Sequence, residues 1–139
     1  MLKKNITYTN YDGVEVTETF YFNISRAELF EMEASKEGGY SEKLKKISEE
    51  KDVPLMMQTF KSLILKSVGI KSEDGKFFRK PAGYAEDFES SEAYSVLFSE
   101  LLTNAEAAAA FISEILPLSN EQRNDLINQA KAAIPEKTE

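Results

Sequence analysis

The sequence predicts an α+β fold, mainly α-helical, in which an N-terminal β-hairpin packs on a bundle of about five to seven short helices. Three observations carry that expectation. Apolar and polar residues alternate with period two only over the first 22 residues, the pattern of a half-buried strand pair. Beyond residue 25 the apolar residues recur at three- and four-residue spacing behind capping signals, the pattern of amphipathic helices. The chain has 139 residues with 42% hydrophobic and 29% charged side chains, the size and balance of one globular domain. Residues 1–117 read as that single domain, hairpin 1–22 and helical part 25–117, with a C-terminal helix and frayed tail over 118–139.

The hairpin sets Leu2, Ile6 and Tyr8 against Val14, Val16, Phe20 and Phe22, and Asn10-Tyr11-Asp12-Gly13 supplies the turn, with Gly where positive φ costs little. A lone two-stranded hairpin is marginal, so its apolar face must lie on helices. Ser25 followed by Glu28 is a capping box that opens a helix bearing Leu29, Phe30 and Met32 and ending before Gly38-Gly39. A second short helix is expected from Ser41 to about Glu50. Asp52 and Pro54 open the strongest helix, with Met56, Met57, Phe60, Leu63, Ile64 and Val68 on its apolar side and Gly69 as its stop. Residues 70–80 read as a small hairpin or an extended loop turning at Asp74-Gly75, and Pro81 leads into a short helix around Tyr84 to Phe88. Next comes a helix from Ser90 or Ser91 carrying Tyr94, Leu97, Phe98, Leu101 and Leu102. Thr103 and Glu106 suggest a second capping box for an alanine-rich helix with Ala108, Phe111, Ile112 and Ile115, closed by Pro117. Ser119 is placed to cap a last helix with Leu126, Ile127, Ala130 and Ile134.

Composition excludes much chemistry. Without Cys there are no disulfides and no thiolates, and without His the commonest general base and metal ligand are missing. The first ten residues, MLKKNITYTN, show no apolar run after their lysines, so no secretory leader is expected, and the two glycosylation sequons at Asn5 and Asn23 read as chance. No stretch approaches the ~20 apolar residues of a membrane span. Ser48-Glu49-Glu50-Lys51 has the Ser-x-x-Lys spacing but lacks the companion motifs of that catalytic class. The carboxylates at Glu28, Glu31 and Glu33, at Glu49, Glu50 and Asp52, and at Glu86, Asp87 and Glu89 are sequence neighbours rather than groups converging on a pocket. No glycine-rich phosphate loop occurs, and Glu73-Asp74-Gly75 lacks a calcium-loop ladder. The reading is a protein with no catalytic residue, no metal site and no cofactor.

The net charge is -7, which argues against nucleic acid as partner. Charge is unevenly placed: residues 41–80 hold 10 basic and 6 acidic side chains, whereas residues 81–139 hold 3 and 11. Solvated helix faces explain most such runs, but a basic middle and an acidic end also suit contact with proteins or with another copy of the chain. Phe77-Phe78 beside Lys76, Arg79 and Lys80 has the basic-aromatic mix of a single-strand binder. It is one short patch, and one ring of such a pair is expected in the core.

Three segments together resemble the tail assembly chaperones of long-tailed, siphovirus-type bacteriophages and prophages: FYFNISRAELFEMEAS with the following GGY, FKSLILKSVGIKSEDGKFFRKP, and EAYSVLFSELLTNAEAAAAFISEILP. They span residues 20–117 in that family's order, and the likeness is expected to fade after Pro117. The resemblance implies a non-enzymatic role in virion assembly, in the cytoplasm of the bacterial host and outside the mature particle. It implies a partner, the tape measure protein, which the chaperone keeps soluble during tail tube assembly. The tail tube protein and self-association are further partners it allows; nucleic acid and membrane are not expected. A minor tail or head-tail connector protein retained in the virion, and a small cytosolic regulator acting by contact, are the alternatives. Phe98, Leu101, Leu102, Phe111, Ile112 and Ile115 are the candidate partner-binding stripe. The same stripes suit the chain's own core, and for most of these residues the core is the expectation.

Overall fold

A computed structural model describes residues 1–34, 46, 49–117, 119–121, 123–125 and 128. Its first element is the expected hairpin. β1 (Leu2–Thr9) and β2 (Glu15–Phe22) pair antiparallel from Leu2 opposite Phe22 to Thr9 opposite Glu15. The Asn10 side chain closes the turn by accepting the N–H groups of Asp12 and Val14, each at 3.0 Å, while Gly13 takes φ 79°. This register puts Ile6, Tyr8, Val16, Phe20 and Phe22 on one face. On the other, Thr7 bonds Thr17 at 2.8 Å and Thr19 donates to Asn5 at 2.6 Å. Val14 departs from the expectation: it belongs to the turn, before β2 begins, and is 53% exposed.

α1 (Arg26–Glu33) starts at the Ser25–Glu28 capping box, with both reciprocal bonds formed. α2 (Val53–Ser67) starts at Asp52, whose side chain accepts the Leu55 N–H at 3.0 Å, with Pro54 in its first turn. β3 (Val68–Lys71) follows and pairs antiparallel with β2, and β4 (Phe78–Arg79) pairs with β3, giving the sheet order β1-β2-β3-β4. α3 (Tyr84–Glu89), α4 (Glu92–Thr103) and α5 (Ala105–Ile115) complete the described elements. Of the expected helix from Ser41 to Glu50, Lys46, Glu49 and Glu50 are helical; the rest, with Gly38-Gly39 and Ser48, lies outside the described residues. So do Leu126, Ile127, Ala130 and Ile134 of the expected last helix, although the Arg123 N–H donates to the Ser119 carbonyl in a helical turn.

The core lies between the inner sheet face and the helices. Phe22 meets Phe88 of α3 and Phe111 of α5 edge-on at 5.8 and 5.4 Å, and Phe20 meets Phe88 at 4.9 Å. Phe60, Leu63 and Ile64 of α2, Leu97 and Leu101 of α4, and Ile112 and Ile115 of α5 fill the remainder. The chain leaving β2 is bonded to the ends of two helices: Asn23 N–H donates to Ser67 C=O and Ile24 N–H to Ile115 C=O, both at 2.8 Å.

Three local expectations are corrected. Gly69 does not stop α2, which ends at Ser67; it sits within β3, where a Cβ would lie 2.5 Å from Phe78 Cε2 and 2.7 Å from the Arg79 carbonyl oxygen. Its small size admits a ring. Thr103 is the last residue of α4 and its hydroxyl donates to the Ser99 carbonyl, so the N-cap of α5 is Asn104, accepting the Ala107 N–H at 3.0 Å. Phe30 and Met57 share helices with buried residues but point outward, Phe30 being 68% exposed.

Candidate functional site

The two members of the candidate stripe on α4 nearest the surface, Phe98 and Leu102, are partly buried, and Phe98 stacks on Tyr94 at 5.5 Å. The other four, Leu101, Phe111, Ile112 and Ile115, are closed inside the chain's own core. α4 and α5 meet at a bend of 113° about Asn104, which turns both apolar sides onto the sheet. The six therefore form no open face in this conformation. No single described helix is long and apolar enough to cross a membrane.

Exposed large apolar side chains lie elsewhere: Met1, Tyr11 and Val14 at the N-terminus and first turn, Phe30 on α1, Val53 and Met57 one turn apart on α2, Val96 on α4, and Ile70 and Phe77 on the β3–β4 hairpin. The hairpin is the most built of these places. Gly75 takes φ 73°, and Ser72 joins the two arms, its N–H donating to the Phe77 carbonyl at 2.8 Å and its hydroxyl oxygen accepting the Phe77 N–H at 2.9 Å. Asp74 accepts from the Ser72 hydroxyl at 2.7 Å and from the Lys76 N–H at 3.0 Å, and these bonds hold its carboxyl below the ordinary value. A turn with this many internal bonds presents its side chains in fixed positions.

Strand alternation then separates the two phenylalanines. Phe78 shares a face with Lys71 and lies over Gly69, with the Lys80 ammonium 5.9 Å from its ring. Lys80 also bonds both oxygens of Glu28 at 2.8 and 2.7 Å, tying β4's exit to the first turn of α1. Partial burial pushes the Glu28 carboxyl up, but the bonds from Lys80 and from the Ser25 N–H outweigh it, so the group sits below its ordinary value. Phe77 falls on the opposite face, in line with Arg79 and, across the ladder, Ile70. It is 49% exposed, with the Arg79 guanidinium 4.8 Å and the Lys76 ammonium 5.6 Å from its ring. Val68, two residues before Ile70 on that face, is buried, so helix cover ends between them and the apolar surface runs from the core into solvent.

Elsewhere the charges pair across elements: Lys4 with Glu100 at 2.8 Å and Lys61 with Glu89 at 3.0 Å. The pair at Glu100 takes that residue out of the acidic face that Glu106 and Glu114 leave exposed on α5. Among the described residues, no group of three acidic side chains could hold a metal ion. The sequence singled out the Phe77-Phe78 patch and expected one ring in the core. Neither joins it: Phe77 is half exposed, and Phe78 is half-buried over Gly69, nine residues away, whose missing side chain makes the room.

An α+β domain of this kind, with its helical stripes turned inward and a rigid cationic-aromatic hairpin turned outward, is built to present surface. A family model described as phage tail assembly chaperone matches residues 1–139, and the chain belongs to that family. The match includes the segment after Pro117, where the likeness had been expected to fade. No curated protein and no solved structure matches the chain. As a tail assembly chaperone it works with protein partners in building a bacteriophage tail.

Proposed function

We propose that the chain binds the tape measure protein and keeps it soluble while tail tube subunits assemble around it. The observation that carries this reading is the family match over the whole chain. A long helical client exposes apolar stripes that aggregate while its tube is missing. The exposed Phe30, Val53, Met57, Ile70 and Phe77 are spread over several elements, which suits several modest contacts that incoming subunits can displace better than one tight pocket. The excess of acidic side chains keeps such a complex soluble. The work is done by contact, without a chemical step, in the cytoplasm of the host, and the protein leaves before the particle is complete.

Co-expression with the tape measure protein tests the reading. The soluble fraction of the tape measure protein should rise several-fold, and purified virions should contain none of the chain. Stoichiometric amounts in virions, with no effect on tape measure solubility, would instead make it a structural tail component.

A further inference from the structure

Lys4, Lys61 and Lys80 each find a carboxylate on another element. Lys76 and Arg79 do not. Neither makes an ion pair with any described carboxylate in a chain holding 24 acidic side chains; both are instead gathered around the exposed ring of Phe77. Asp74, the nearest acid in the turn, is committed to Ser72 and to the Lys76 backbone, and Glu73 points to solvent at the tip. The result is a small apolar surface, Ile70 and Phe77, flanked by two cations that pair with no carboxylate among the described residues.

We propose that this face of the β3–β4 hairpin docks an acidic amphipathic segment of the protein the chaperone holds. An apolar side chain of the segment covers Phe77 and Ile70, while carboxylates one helical turn away meet Arg79 and Lys76. The hairpin is already rigid, so little ordering entropy opposes the contact. Nucleic acid fits the face less well. Backbone binding needs a run of cations along several phosphates, whereas this face offers two, Lys76 and Arg79, around one ring. Stacking of successive bases needs more than one open ring, and Phe78 is laid over Gly69. The proposal rests on the chaperone reading only for the identity of the partner.

The test uses the full chain and two labelled synthetic helical peptides of about 15 residues, roughly four turns. Both carry the same leucine stripe, one with Glu and the other with Lys at the polar positions; a single-stranded oligothymidine is the third probe. Anisotropy titrations at low salt should give the Glu peptide about tenfold tighter binding than the Lys peptide, with the gap narrowing as salt rises. Lys76→Glu with Arg79→Glu should remove about tenfold of the Glu-peptide affinity, and Phe77→Ala several-fold. Thr17→Ala, on the far sheet face, should change nothing. Equal affinity for the two peptides, or full affinity in the double variant, overturns the proposal. So does oligothymidine binding that is tighter than the Glu peptide and lost in the double variant. No tape measure protein enters this assay, so its failure leaves the co-expression result standing, and the reverse holds too.

Discussion

Two phenylalanine-rich regions of this small protein meet opposite fates. Phe20, Phe22, Phe88 and Phe111 come from a strand, a short helix and a long helix, and their rings interlock edge to face at 4.9–5.8 Å. Phe77 and Phe78 are adjacent in sequence, yet one covers a glycine and the other stands in solvent between two cations. The difference does not lie in hydrophobicity, which is the same for every ring. In the first region several elements converge, so each ring removed from water finds a partner. In the second a bonded turn fixes the backbone, and strand alternation puts the two rings on opposite faces. Helix cover ends after Val68, so the ring of Phe77 on the core-side face stays open. Apolar content alone therefore says little about where a chaperone of this kind offers itself to a client; backbone geometry decides it.

The sharpest break of that contrast is Phe60→Ala in the core. Phe60 is about 1% exposed, and its removal should cost ~3–5 kcal/mol, a large part of a stability of roughly 5–15 kcal/mol. Urea melts should show a much lower midpoint; an unchanged midpoint would place the residue outside the core. Gly69→Ala comes next, at ~1–3 kcal/mol, because the new methyl meets both the Phe78 ring and the Arg79 carbonyl. Adding Phe78→Ala should recover part of that loss and leave the backbone clash; additive losses would rule out the ring contact.

Glu28→Gln is smaller, ~0.5–2 kcal/mol at neutral pH, since it weakens both a cap and the Lys80 pair. The Glu28 carboxyl lies below its ordinary value of 4.5 in the folded chain. Its stabilisation is therefore present above that value and is lost as pH falls through the folded-state value. Thermal melts of the variant and the parent should differ most near pH 7 and converge as the medium is acidified; a constant gap would contradict the pairing. The smallest effect belongs to Phe77→Ala, within ~0.5 kcal/mol. A loss as large as that of Phe60 would mean the hairpin ring is part of the core.

Local signals were legible in the sequence and non-local ones were not. The Ser25–Glu28 box, the Asn10–Gly13 turn and the Asp52–Pro54 start each involve residues a few positions apart, so the pattern and the bond are nearly the same thing. The Thr103–Glu106 box failed because Asn104, one residue on, is an equally good cap and the helix break falls there. Phe30 and Met57 were read with their buried neighbours because helical spacing marks an apolar side but not where its cover ends. The candidate stripe from Phe98 to Ile115 has the same cause: an amphipathic helix looks alike whether its partner is this chain's own sheet or another protein. Gly69 shows the limit most plainly, since its role is a ring contributed by β4.

Hydrogen exchange of the chain alone and mixed with the proposed client, the tape measure protein, tests most directly which region a client would meet. The hairpin over residues 70–80 should exchange more slowly in the complex. Residues 97–115, whose apolar side is already closed on the core, should be unchanged. Slowing confined to 97–115, with the hairpin as fast as in the free protein, would mean that α4 and α5 open to take the client and would contradict the assignment of the outward face.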